Sequence, residues 1–197
     1  MLKRRWMPLF VMAVLISCPI LIGHGWFSFG TSGPLPSQES LAPYVPTPQD
    51  VVDRMLALAE VTAKDIVYDL GCGDGRIVVT AAKKYGAHGV GVDIDPQRIA
   101  ESRANAKKEG VENLVEFLQQ DALTVNVSRA TVVTLYLLPD SNMKLRPILT
   151  RELKPGSRIV SHAFDMDDWE PLKVDSFKDS GGRIRTLYLW KTDGKIR

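Results

Sequence analysis

Asp69-Leu70-Gly71-Cys72-Gly73-Asp74-Gly75 closes the β-branched run Ile66-Val67-Tyr68 and opens onto Arg76-Ile77-Val78-Val79. An apolar run that gives way to glycines and then to a pattern of helical period reads as strand, tight bend and helix, the opening unit of an α/β domain. The strand is expected over Asp65 to Leu70 and the helix from about Arg76 to Tyr85. Glycine lets the backbone bend sharply and approach a ligand, and a helix start presents N–H groups without partners. Spacing limits the choice of ligand. A dinucleotide fingerprint of the G-x-G-x-x-G kind requires glycine at 76, where Arg76 stands; here the glycines fall at 71, 73 and 75.

Outward from this bend, strands and helices alternate. Thr47-Pro48-Gln49-Asp50 has the form of an N-cap followed by proline at the first helical position, and the helix runs to about Glu60 with Val51, Val52, Met55, Leu56 and Leu58 on its apolar side. Gly89 to Ile94 is a second strand; Asp95 caps the helix that Pro96 begins and Gly110 ends. Val115 to Gln119 and the fully apolar Thr131 to Leu138 are further strands. Asp140 to Leu153 is helical and kinked or broken at Pro147, and Ser157 to Phe164 is a fifth strand. Lys173 to Phe177 and Arg183 to Lys191 meet at Gly181-Gly182 with no helix between them, so they form an antiparallel pair.

Composition agrees with one globular domain: 197 residues, 45% hydrophobic and 24% charged. Two cysteines exclude a disulfide scaffold. Of the 25 basic residues, Lys3, Arg4 and Arg5 precede every acid, which leaves 22 against 23 acids from Glu39 onward. A body so near neutrality lacks the basic field that recruits nucleic acid, so nucleic acid is not the expected partner.

The leader is different. Trp6 to Ile22 is 17 uncharged residues directly after the basic cluster. That length lies between a signal peptide and a membrane anchor, and Pro8 and Pro19 favour the shorter, signal-like reading. Thr31 to Pro48 holds five prolines and reads as extended. The expected organisation is therefore a signal peptide or membrane anchor over 1–30, a linker over 31–42 and a folded domain over 43–197. Localisation is membrane-associated or exported, and basic residues before the apolar segment place the body on the side away from the cytoplasm.

Two acids extend the site. Asp93 ends the second strand, 24 residues after Asp69, where a carboxylate can accept hydrogen bonds from two ribose hydroxyls. Gln120-Asp121-Ala122 follows the third strand; Asp121 reads equally as an adenine ligand or as a turn residue. All three positions follow the carboxyl ends of successive strands, where open α/β sheets bind ligands.

With Asp69, the 71–73–75 glycines, Asp93 and Asp121 taken together, the chain resembles the class I S-adenosylmethionine-dependent methyltransferases over about residues 43 to 192. The resemblance implies a Rossmann-like α/β fold, a mostly parallel seven-stranded sheet with a C-terminal antiparallel strand pair. It implies S-adenosyl-L-methionine as cofactor, its amino acid part held by Asp69 and the loop Gly71, Cys72, Gly73 and Gly75. Asp93 with Ile94 would then hold the ribose, and Asp121 with Ala122 the adenine. Pro43-Tyr44-Val45-Pro46-Thr47, Gly73-Asp74-Gly75-Arg76-Ile77-Val78, Leu145-Arg146, Glu152-Leu153, Arg158-Ile159-Val160-Ser161 and Trp169-Glu170-Pro171 carry a narrower likeness. They are similar to a lysine methyltransferase family whose eukaryotic members modify mitochondrial adenine nucleotide translocase and the c-ring protein of ATP synthase. That family is distantly similar to the histone methyltransferases lacking a SET domain. This likeness implies a protein substrate, with membrane proteins among the candidates. Thr134-Leu135-Tyr136-Leu137-Leu138-Pro139 is only broadly similar to that pattern, which leaves small molecules, lipid or RNA as alternative acceptors, and a non-catalytic cofactor-binding module as another reading.

Methyl transfer needs alignment more than acid or base, and a lysine acceptor must be neutral, a state that an apolar or aromatic channel favours. Tyr136, Tyr44 and Trp169 are the candidates for such a channel, Tyr136 first, with core packing as the competing role of each. Asp165, Asp167 and Asp168 read as an exposed loop, or as a lure for a basic segment, and make a poor metal site; no metal is expected. His162 reads as a hydrogen-bonded strand histidine. One conflict remains in the sequence, because the cofactor is made in the cytosol and the leader directs the body outward.

Overall fold

The computed structural model describes residues 40–197. The expectations for 1–30 and for most of the linker lie outside the described residues. The elements are α1 (Gln49–Leu58), β1 (Ile66–Leu70), α2 (Arg76–Tyr85), β2 (His88–Asp93), α3 (Pro96–Glu109), β3 (Val115–Gln119), β4 (Val132–Leu135), α4 (Pro139–Glu152), β5 (Arg158–His162), β6 (Lys173–Lys178) and β7 (Ile184–Lys191). They build a seven-stranded sheet of order β3-β2-β1-β4-β5-β7-β6. β1 to β5 pair in parallel, and β7 pairs antiparallel with both β5 and β6. The strand order reverses between β1 and β4, and at such a switch point the strand ends leave a crevice.

Alternation along each strand feeds two cores. Val67, Val132, Val160 and Leu187 point to the face covered by α1, α2 and α3. Leu70, Val92, Leu135, Ile159 and Trp190 point to the face covered by α4, where Leu145, Leu149 and Leu153 meet them. Each central strand is thus buried on both sides, which accounts for its nearly unbroken apolar sequence.

Several boundaries differ from expectation. β4 stops at Leu135, because Pro139 opens α4 and the chain must leave the ladder before it; Leu138 is the N-cap and Tyr136 to Leu138 form the connection. Pro147 lies inside α4 without ending it. The helix continues because anchors grip it around the proline: Leu145 and Leu149 are fully buried, the Asn142 amide donates to Ser161 Oγ at 3.1 Å, and Arg146 donates to the Met166 carbonyl at 2.9 Å. At α1 the cap residue is Pro48 and no side chain caps the helix, so Thr47 does not have the expected role. Asp95 does cap α3, accepting from the Gln97 N–H at 2.8 Å. Among the described residues no helix is long and apolar enough to cross a membrane.

Candidate functional site

A cavity of about 350 Å³ opens at the carboxyl ends of β1, β2 and β4, within the usual range for small-molecule pockets. Asp69, Gly71, Cys72, Gly73, Asp93, Ile94, Asp121, Ala122, Tyr44 and Tyr136 all line it. Gly75 lies just behind, where it is the left-handed residue that precedes α2.

The glycine loop owes its shape to three positive φ angles, +81° at Gly71, +54° at Gly73 and +75° at Gly75. At Gly73 a second constraint applies, since an added Cβ would lie 2.5 Å from Tyr44 Cε2. The loop is tied to β2: the Gly71 and Cys72 amides donate to the Val92 carbonyl, and the Gly73 amide donates to Asp93 Oδ2 at 2.8 Å. Asp93 Oδ1 accepts from the Asp95 amide at 3.0 Å. Asp93 therefore sets the loop while its remaining lone pairs face the cavity.

Asp69 is the electrostatic centre. It is 3% exposed, and burial pushes its carboxyl up to about 7, although the Thr134 hydroxyl donates to Oδ1 at 2.7 Å; Asp93 and Asp74 nearby add to the rise. Among the described residues no cation pairs with it. Asp74 behaves in the opposite way. Burial would raise it, yet the bonded Arg76 guanidinium, helped by the Tyr44 hydroxyl, holds it below the usual carboxylate range. Burial pushes the Cys72 thiol far up, so this free cysteine is inert. Asp121 Oδ1 accepts from the Leu123 amide at 2.9 Å, so Asp121 does form the turn and also borders the cavity.

A strap over residues 40–47 closes one side. The Ser141 hydroxyl donates to the Leu41 carbonyl at 2.6 Å, and Arg76 Nη1 donates to the Thr47 carbonyl at 2.8 Å. Between these ties Tyr44 lies under Arg98, whose guanidinium is 4.3 Å from the ring centroid. Tyr136 enters from the other side, as the residue after β4.

Trp169 is a correction. It is 8% exposed and packs in the α4-side core, with ring centroids 5.9 Å from Trp190, whose Nε1 donates to its carbonyl at 2.6 Å. It does not line the cavity, because the chain after β5 turns it inward beneath Arg197. His162 is a second correction: it is fully buried, and neither ring nitrogen has a hydrogen-bond partner. Asp168 is not simply a loop acid either, since it pairs with Arg146 at 2.5 Å. Thr134 and Arg98 are site residues that the sequence reading missed. Thr134 left a signal, being the one hydroxyl in the apolar run of β4.

Residues 69–173 match the family model described as ANTKMT methyltransferase domain. The chain is 49% identical over 149 residues to a protein-lysine N-methyltransferase of Saccharolobus islandicus (strain REY15A), covering 75% of this chain and 92% of that one. It is 32% identical over 148 residues to the human lysine N-methyltransferase named for the c-ring protein of ATP synthase, spanning 75% of this chain and 60% of that protein's length. Among solved structures, one described as an RNA methyltransferase from Salinibacter ruber in complex with S-adenosyl-L-homocysteine shares 53% identity. It superposes with a TM-score of 0.73 and covers 78% of this chain and 97% of that one.

Proposed function

Because the chain belongs to the ANTKMT methyltransferase domain family and is an S-adenosylmethionine-dependent methyltransferase, we propose that it methylates the side-chain amine of lysine in a protein. The observation that carries this is the identity to the Saccharolobus enzyme over nearly that enzyme's whole length.

The cavity fits the cofactor. Asp69, a buried carboxylate without a cationic partner among the described residues, suits the cofactor's ammonium, and the bends at Gly71 and Gly73 leave no room for side chains against a closely held ligand. On this reading Asp69 and the Gly71–Gly75 loop, Cys72 included, hold the amino acid part, Asp93 and Ile94 the ribose, and Asp121 and Ala122 the adenine. When bound, the cofactor supplies an electrophilic methyl group on a sulfonium. The protein's part is alignment and dehydration. Tyr44 and Tyr136 flank the opening, where their faces disfavour free hydration of an ammonium and so favour the neutral amine; they also hold the cationic product by cation–π attraction.

RNA is the second reading, favoured by the description of the Salinibacter relative. The near-neutral body, 22 basic residues against 23 acids from Glu39 onward, weighs against it. The apolar stretch Trp6 to Ile22, outside the described residues, supports a membrane-bound acceptor and a membrane attachment for this chain. To test the reading, the protein is incubated with methyl-labelled cofactor and membrane extract, and the product is divided between protease and nuclease. Label lost to protease alone is the expected result; label that survives protease and is lost to nuclease would refute the lysine acceptor.

A further inference from the structure

The carboxyl end of β5 combines two unusual features beside the cavity. His162 is fully buried with both nitrogens unpartnered, although buried polar groups are ordinarily satisfied. Ala163, the next residue, has φ +71°, a left-handed conformation that costs a residue bearing a Cβ, held by its amide donating to the Thr186 carbonyl at 2.8 Å. Packing alone would select Leu or Phe at 162. What the imidazole touches is specific: its ring stacks on Tyr136, centroids 4.0 Å apart and planes 32° from parallel. Alternation along β4 and β5 places Tyr136 and His162 on the same face of the sheet as Thr134, which bonds Asp69. Tyr136 alone of the pair lines the cavity.

We propose that His162 is the positioning residue for Tyr136: it backs the tyrosine ring with a flat, uncharged surface and fixes the wall along which the acceptor meets the cofactor. Tyr136 belongs to the short connection between β4 and α4, is half-buried, and has no hydrogen bond from its side chain among the described residues. Its ring is therefore held by packing, and the ring stack is the packing contact on its sheet-ward side. A hydrogen-bonded histidine would be turned by its partners; an unpartnered one is free to lie against the tyrosine. Burial and the nearby Arg185 keep the imidazole neutral, with Asp179 opposing, so no positive charge is set behind a site that handles a sulfonium.

The inference rests on the methyltransferase reading but not on which acceptor is used. Full-length wild type, His162→Leu and His162→Phe are compared by S-adenosylhomocysteine formation on detergent-solubilised membrane extract at saturating cofactor, with cofactor Kd from calorimetry and folding from thermal melts. The proposal expects His162→Leu to lose at least tenfold in rate, with a cofactor Kd within twofold of wild type, and His162→Phe to restore most of the rate. A purely space-filling role would not separate Leu from Phe in rate while both stay folded and bind cofactor normally. His162→Met replaces the leucine variant if the latter does not fold. Wild-type rates for His162→Leu would overturn the proposal, and so would a phenylalanine variant as slow as the leucine one. The ratio of variant to wild type is the same whether the label is sensitive to protease or nuclease, so failure of the lysine reading is seen separately.

Discussion

At the scale of single residues, Asp69 concentrates the chemistry. Its carboxyl is raised to about 7 in the fold, above its unfolded value near 3.8, so the folded state binds the proton more tightly. For an acid shifted upward the sign is reversed from the usual carboxylate: stability is greatest below the unfolded value and is lost as pH rises through about 7. Asp69→Asn should therefore raise the melting temperature of the cofactor-free protein at pH 8 by roughly 5 °C, a gain that shrinks as pH falls toward 4. The same variant should weaken cofactor binding at least tenfold by calorimetry. Unchanged affinity would remove Asp69 from the site. Gly73→Ala is expected to weaken cofactor binding by a similar factor, because the residue has φ +54° and its new methyl meets Tyr44. Asp69, Asp93 and the glycines were legible in sequence because their roles follow from position at strand ends. Thr134 and His162 were not, since one depends on the register that sets β4 opposite β1 and the other on a ring carried by a different strand.

At the scale of elements, strands and helices were legible from periodicity, and the errors gather where one element yields to the next. Pro139 shortens β4 because a helix start needs its own entry, and Pro147 is tolerated because burial on both sides outweighs a lost backbone bond. Trp169 lay in a loop, where sequence gives a side chain no direction. Elements far from the cavity are tied by Arg158, which donates to the Ala59 carbonyl at 2.6 Å and pairs with Asp65, a carboxyl only 7% exposed on its side chain. Burial would raise Asp65, but Thr131, Thr62 and Arg158 together hold it below its usual value. Arg158→Ala should cost about 2 kcal/mol in urea unfolding, discounted from a fully buried pair because the guanidinium is partly exposed. Cofactor affinity should stay within twofold, since this tie is at the opposite edge of the sheet. A large loss of affinity would show that the two ends of β1 are coupled.

At the scale of the whole molecule, the cavity and the leader make opposite demands. Lys3, Arg4 and Arg5 before Trp6 to Ile22 direct the body away from the cytoplasm, whereas the cofactor pocket requires a compartment that holds S-adenosylmethionine. The pocket is the stronger constraint, and a reporter fused after Arg197 should read cytoplasmic; a reporter active only outside would contradict this. The central claim is the acceptor itself. Tandem mass spectrometry of membrane proteins incubated with this enzyme and cofactor tests it most directly. Added methyl groups on the side-chain nitrogen of lysine, absent with Asp69→Asn, are the predicted result; modification of any other acceptor with lysines left unmodified would contradict it.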